Sequence, residues 1–133
     1  PAQGKTPFEF KGLPRLVDAI KTFRERAEAL DRASKALAGR DGVDDAKLAR
    51  VNDALTRIER AFLLPAGLPR RPWFKHAVYA PGVTTGYASW PLPGVRQAIL
   101  ETNSDMLSAQ LPALVDRINA ATEAMNTAID AAR

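Results

Sequence analysis

The sequence contains no cysteine and a single histidine, His76, among its 133 residues. The first absence excludes a disulfide framework and any thiolate metal site. A zinc site needs several histidine, cysteine or carboxylate ligands that converge on one point, and the acids here fall mainly at helix positions predicted to face solvent. No apolar run approaches the roughly 20 residues of a membrane span, and no signal peptide is recognisable. We therefore expect this chain to hold no metal, no cofactor and no membrane segment.

The sequence also lacks a glycine-rich phosphate loop and a nucleophile elbow around any of its serines. A Ser-His-Asp arrangement through His76 is formally possible. A lone histidine between Lys75 and Ala77 is more often a hydrogen-bonded structural residue. Two hypotheses from different classes therefore compete: a non-catalytic assembly domain, and a self-sufficient enzyme centred on His76. The lack of converging catalytic groups favours the first.

The formal net charge is +4, with 26% charged residues whose two signs are mixed along the chain. A dedicated nucleic-acid domain usually concentrates its cations on one face. One cluster, RRPWFKH at residues 70–76, places cations beside aromatics that could stack bases. The competing interpretation is that Trp73 and Phe74 hold a loop while the arginines pair with neighbouring acids. We favour this second interpretation because no nucleic-acid motif surrounds the cluster. The alternative function is that of a stand-alone protein- or nucleic-acid-binding module.

Apolar residues recur at steps of three and four in the first half of the chain, which predicts two long helices. The first begins at Leu13 and runs for about 25 residues, with Pro14 in its first turn, where proline is tolerated. The second is capped by Asp44 or Asp45 and ended by Pro65. Their short connection predicts antiparallel neighbours.

Two more helices are predicted in the second half. A short third helix opens at Pro93-Gly94, and a fourth, alanine-rich helix starts near Ser108 with Pro112 in its first turn. The predicted fold class is all-α, a four-helix bundle with a long ordered loop between helices 2 and 3. The bundle would occupy residues 13–133 as a single helical domain.

Residues 1–12 are predicted to form an N-terminal tail. Its two aromatics, Phe8 and Phe10, are expected to pack on the domain or on a neighbour, because an exposed tail would not need them. The chain begins at Pro1 without methionine. We therefore expect it to be a piece of a longer protein.

The stretch from Leu64 to Leu92 separates the second and third helices. It holds both tryptophans, both tyrosines, the histidine and five of the ten prolines. No helix runs through so much proline, and disordered segments are poor in aromatics. The pattern therefore predicts an ordered loop without regular structure, held by four anchors: Trp73, His76, Tyr79 and Trp90.

A series of short motifs runs from Glu59 to Gly94 in a specific order: ERAF, GLP-x-RP, H-x-x-YAP, a tyrosine and PG. This series resembles the transferrin-receptor-like dimerisation domain, the C-terminal helical domain of glutamate carboxypeptidase II and its relatives. The flanking helices fall where that family has them, so the resemblance covers the chain from about Phe10 onward.

The resemblance implies a four-helix-bundle domain that follows a di-zinc peptidase domain and makes much of a homodimer contact. The implied partners are the chain's own peptidase domain and a second copy of the parent protein, without nucleic acid. The zinc ions, their ligands and the general base would lie in the peptidase domain, so this chain alone would not be an enzyme.

The resemblance also assigns a role to the long loop, which in this family contributes to the pocket for the substrate's C-terminal residue. In glutamate-preferring members a Lys-Tyr pair binds the carboxylates of that residue. This sequence has the tyrosine, Tyr87, and has Gly86 where the lysine would stand. The implied substrate-binding positions are therefore Tyr87 and Gly86, with a hydroxyl donor but without the charge-assisted partner.

Overall fold

The computed structural model describes residues 8, 10–84 and 86–133. Its elements, in chain order, are α1 (Leu13–Ala38), α2 (Asp45–Arg60), β1 (Tyr79–Pro81), β2 (Ser89–Pro91), α3 (Pro93–Leu100) and α4 (Ser104–Ala132). The predicted helical bundle is confirmed. None of the helices in these ranges has the length and apolar character needed to cross a membrane.

The N-terminal part of the chain follows the sequence signals closely. α1 has Pro14 in its first turn and is preceded by Gly12, whose φ of 93° is in the region that favours glycine. α2 is capped by Asp44, whose side chain accepts a hydrogen bond from the Lys47 amide at 2.6 Å. Most of the predicted tail, residues 1–7 and 9, lies outside the described residues. Phe8 and Phe10 pack against the core, as predicted.

α4 begins four residues before the predicted start near Ser108, so that prediction is wrong. The side chain of Asn103 accepts a hydrogen bond from the Met106 amide at 2.9 Å, which caps the helix at this earlier point. Pro112 therefore lies inside α4 rather than in its first turn. Proline has no amide hydrogen, so the carbonyl of Ser108 loses its helical partner. Both residues are exposed, which leaves that carbonyl accessible to water.

α4 is the centre of the bundle, because α1, α2 and α3 all pack on it. Within the described chain no Cα of α1 lies within 8 Å of a Cα of α2, so the prediction that these two helices are direct neighbours is wrong. Small buried side chains such as Ala121 and Ala128 let both helices approach α4 separately. α1 and α2 meet only over the end of α4, where Leu37, Val51 and Ala132 form a small cluster.

The connection between α2 and α3 contains regular structure that the proline content did not predict. β1 and β2 form an antiparallel hairpin in which Tyr79 faces Pro91 and Pro81 faces Ser89. The strands are only three residues long, and the Leu92 amide extends their pairing by donating to the Val78 carbonyl at 2.7 Å. Short strands with proline at their ends satisfy the rule that proline avoids the middle of a ladder.

Candidate functional site

The connecting segment, defined here as residues 61–84 and 86–92, lies on the bundle as an ordered structure. Its first part folds back on itself, since the Leu64 amide donates to the Lys75 carbonyl at 2.7 Å and the Ala77 amide donates to the Phe62 carbonyl at 3.0 Å. Its apolar residues enter the core, and these are Leu64, Leu68, Ala77 and Ala80. Burial of these side chains fixes the segment on the helices.

Two of the predicted anchors, His76 and Tyr79, come together beside Glu59 at the end of α2. The Nε2 atom of His76 lies 3.0 Å from Oε1 of Glu59, and the Tyr79 hydroxyl donates to the same oxygen at 3.1 Å. The His76 ring is stacked between two aromatic rings, with centroid distances of 4.1 Å to Tyr79 and 5.6 Å to Phe62. The end of α2 and the base of the hairpin are therefore joined by one polar and aromatic cluster.

The hydrogen bonds of His76 assign its tautomer. Its Nδ1 atom accepts a hydrogen bond from the Val78 amide at 3.2 Å, so the neutral ring carries its proton on Nε2 and donates it to Glu59. Both ring nitrogens thus have structural partners. The pKa of Tyr79 lies above its ordinary value because its hydroxyl donates to Glu59 and because ionisation would place a phenolate beside that carboxylate.

The cations of the 70–76 cluster are engaged within the domain. Arg70 pairs with Glu101, and Lys75 donates to the Pro65 carbonyl at 3.0 Å. The hydrogen bonds from Arg70 and from Gln97 hold the pKa of Glu101 below its ordinary value. The pairing of Arg70 with an acid follows the interpretation favoured from the sequence.

The two tryptophans have different surroundings. Trp90 in β2 carries the guanidinium of Arg96 over its ring, 4.8 Å from the centroid, which attaches the hairpin to α3. Trp73 is 70% exposed, and its recorded ring contact is with the adjacent Phe74 at 6.2 Å. Trp73 is thus separate from the cluster formed by His76 and Tyr79.

The tip of the hairpin, residues 82–84 and 86–88, presents the two predicted substrate-binding positions to solvent. The side chain of Tyr87 is fully exposed. A Cβ atom added at Gly86 would meet nothing within 4 Å. The tip therefore has room for a larger side chain at position 86 and a tyrosine hydroxyl that makes no hydrogen bond within the described residues.

The outer face of α1 carries an apolar stripe, defined here as Leu13, Val17 and Ile20, which are 44%, 55% and 48% exposed. The spacing of these residues places them along one side of the helix. Ile20 also borders a cavity of about 340 Å³ between α1, the end of α2 and the connecting segment. Other residues that line this cavity are Phe23, Phe62, Tyr79, Leu92 and Ile118. The stripe and the cavity form a continuous apolar surface.

Metal ligands do not converge in the part of the chain that the structure describes. No group of three or more histidine, cysteine, aspartate or glutamate side chains there is arranged to hold an ion. The residues that are brought together, His76 with Glu59 and Tyr79, form a structural hydrogen-bond cluster.

Comparison with known protein families decides what kind of domain this is. The transferrin receptor-like dimerisation domain matches residues 12–126, which include all four helices up to the last turns of α4. The chain belongs to this family. The motif series recognised in the sequence thus lies within a match that extends over the whole bundle.

Three relatives of this dimerisation domain illustrate the proteins that carry it. It is 35% identical over 82 residues to "Probable glutamate carboxypeptidase LAMP1" of Arabidopsis thaliana, covering 60% of this chain and 12% of the relative. It is 33% identical over 86 residues to "Probable glutamate carboxypeptidase" of Arthroderma benhamiae, covering 64% and 12%. It is 34% identical over 76 residues to "Aminopeptidase NAALADL1" of Rattus norvegicus, covering 57% and 10%. The dimerisation domain thus spans about a tenth of the length of these relatives.

Sequence reasoning missed two residues that organise this dimerisation domain's loop. Glu59 is one of the helix acids predicted to face solvent and it is exposed, but its role as the acceptor of hydrogen bonds from His76 and Tyr79 was not predicted. Arg71 was expected to pair with an acid, but it is buried and donates to the Pro81 carbonyl. The available signals were the positions of Glu59 in the ERAF motif and of Arg71 as the arginine of the GLP-x-RP motif, in which Arg70 occupies the variable position.

Proposed function

We propose that this chain is the dimerisation domain of a larger, zinc-dependent peptidase of the glutamate carboxypeptidase type. The observation that carries the proposal is the family match over residues 12–126. The printed names of the relatives, two probable glutamate carboxypeptidases and one aminopeptidase, support a peptidase as the parent. Zinc and the catalytic residues would belong to a separate peptidase domain, and the role of this chain is assembly.

The proposed contact with a second copy of the parent uses the apolar stripe of α1. α1 has 26 residues, of which only Leu16, Ala19 and Leu37 are buried within the domain. Its outer stripe continues into the apolar cavity through Ile20. A contiguous apolar surface of this kind is typical of an association site. The alanines of α4 are less suitable because the core already uses several of them.

Replacing Val17 with lysine is expected to weaken self-association. The substitution would bury an unpaired charge in the contact, and a loss of about 3 kcal/mol corresponds to a roughly 100-fold higher dissociation constant. Sedimentation equilibrium of the 133-residue chain and of the longer protein measures this constant. The control is Leu100→Lys, which adds the same charge to an exposed leucine on α3. If only the Leu100→Lys control dissociates, the contact lies on α3 and not on α1. A longer protein that is monomeric would refute self-association.

The second part of the proposal concerns the hairpin tip. In the parent protein the tip would extend to the peptidase domain, where Tyr87 would donate a hydrogen bond to the terminal carboxylate of the substrate. Support comes from the exposure of Tyr87 and from the lack of a packing role for its ring within this domain. Gly86 has no side chain, so position 86 supplies no cation beside this hydroxyl. The parent would therefore bind C-terminal residues that are less acidic than glutamate.

Replacing Tyr87 with phenylalanine tests the pocket assignment in the longer protein. A hydrogen bond to a charged group contributes about 1.5–3 kcal/mol, which corresponds to a rise in KM of about 10- to 150-fold. The melting temperature should stay unchanged, because the tyrosine side chain is fully exposed. Steady-state kinetics with a peptide substrate measure the effect. An unchanged kcat/KM together with a lower melting temperature would show that Tyr87 is structural.

Gly86→Lys is the companion variant for the same pocket. It supplies a cation where the structure leaves open space, so the ratio of kcat/KM for acidic over neutral C-terminal residues should increase. Gly86→Gln is the matched control, because it adds similar bulk without the charge. An equal change in both variants would attribute the effect to bulk and would contradict the proposed carboxylate contact.

A further inference from the structure

Arg71 is an unusual residue in the connecting segment, because it is only 6% exposed. Arginine is rarely buried to this degree unless its charge and donors are used. Its Nη1 atom donates to the Pro81 carbonyl, and its guanidinium carbon lies 5.6 Å from the centroid of the Phe74 ring. Its Nε atom has no partner among the described residues. The guanidinium thus directs one defined hydrogen bond from the interior of the segment toward the hairpin.

The acceptor of this bond lies at a decisive position. Pro81 is the last residue of β1, and the tip that carries Tyr87 follows directly after it. The other end of β1 is already held by the Tyr79 hydroxyl on Glu59. Among the described residues, the bond from Arg71 is therefore the last hydrogen bond from a side chain to the backbone before the tip begins.

The hairpin needs such a tether because its own ladder is weak. Pro91 stands opposite Tyr79, and Pro81 stands opposite Ser89. Both prolines stand in pairs whose amides point away from the partner strand, so the ladder is limited by its length of only three residue pairs. An isolated two-stranded hairpin is marginally stable even with a full set of bonds. The direction of the tip must then be set by contacts from outside the hairpin.

We propose that Arg71 is the positioning residue of the hairpin, which fixes the end of β1 and thereby aims the Gly86–Tyr87 tip. The functional part of this inference rests on the pocket role proposed above for Tyr87. Arginine suits the task because its planar guanidinium can pack on Phe74 while it donates sideways to a carbonyl. A lysine offers a compact point charge without that planar face.

Hydrogen exchange of the 133-residue chain tests the positioning role without reference to catalysis. In Arg71→Met, the amides of residues 78–92 should exchange at least tenfold faster, while those of α4 stay unchanged. Arg71→Lys should restore part of the protection. Lys75→Met is the matched control, because Lys75 also donates to a proline carbonyl ten residues away, that of Pro65, but does not contact the hairpin. It should leave residues 78–92 unaffected.

Either of two results would overturn the inference. One is unchanged exchange of residues 78–92 in Arg71→Met. The other is an equal acceleration in α4, which would show general destabilisation instead of release of the hairpin. If Arg71→Met does not fold, Arg71→Lys alone must show partial loss of protection confined to residues 78–92, and full protection in that variant counts against the proposal.

Kinetics of the longer protein connect the positioning role to the pocket. Arg71→Met should raise KM and leave kcat unchanged, and it should add nothing further in a Tyr87→Phe background. A multiplicative increase in the double variant would contradict positioning through Tyr87. Should Tyr87→Phe leave KM unaltered while Arg71→Met still releases residues 78–92, the pocket assignment fails and the positioning role stands. The pocket role of Tyr87 and the positioning role of Arg71 can therefore be refuted independently of each other.

Discussion

Gly67→Ala is expected to destabilise the domain by about 2–5 kcal/mol. Gly67 has a φ of +73°, and a Cβ atom there would lie 2.6 Å from the Cα of Pro72. A left-handed conformation costs a residue with a side chain about 1–2 kcal/mol, and forced overpacking adds roughly 1–3 kcal/mol. Pro72 is backbone-constrained, so the turn cannot yield easily. The melting temperature, measured by circular dichroism, should fall by about 4 °C for each kcal/mol.

Gly42→Ala is the matched control for this effect. Gly42 has nearly the same φ, +72°, but nothing lies within 4 Å of the added Cβ. It therefore reports the conformational cost alone, about 1–2 kcal/mol. Equal losses in the two variants would show that the approach of Pro72 to Gly67 contributes nothing. Such a result would contradict the tight packing of the turn.

Leu114→Ala is expected to have an effect of similar size. Leu114 is buried on the face of α4 that forms the main core. Removing a buried leucine side chain typically costs 2–5 kcal/mol, because transfer free energy is lost and a cavity remains. Chemical denaturation of the chain measures the loss as a lower midpoint at constant slope.

The control for Leu114 is Leu100→Ala, since Leu100 is 59% exposed at the end of α3. Its replacement should change the free energy of unfolding by less than about 0.5 kcal/mol, as is usual at the surface. A small loss at Leu114 would mean that α4 is not the packing centre. A large loss at Leu100 would indicate that the exposed end of α3 is covered by a second copy in solution.

The sequence predicted the helices because their determinants are local. Apolar spacing, Pro14 in the first turn and the Asp44 cap act within a few residues, and α1 and α2 begin where those signals stand. The start of α4 was predicted near Ser108 because Pro112 then falls in the first turn, where proline is tolerated. In the structure the side chain of Asn103 caps the helix earlier, accepting a hydrogen bond from the Met106 amide at 2.9 Å. As a consequence, Pro112 lies inside α4 at an exposed position.

The arrangement of the helices and of the loop was harder to predict, because it depends on long-range packing. The short connection after α1 suggested direct contact with α2, but α1 and α2 each pack on α4 instead. In the loop, His76 and Tyr79 were predicted as anchors from the local sequence, whereas their acceptor Glu59 lies 17 residues before His76 in the chain. The burial of Arg71 depends on the hairpin, which proline content had argued against.

The central position of α4 has a consequence for the synthesis of the protein. α1 and α2 leave the ribosome before α4, yet no Cα of one lies within 8 Å of a Cα of the other to hold them together. Their common partner is translated last of the four helices. Domains that depend on contacts between distant parts of the chain fold slowly. The nascent chain therefore carries two unsatisfied amphipathic helices until α4 emerges, so the contact between copies proposed above can form only after α4 has been translated.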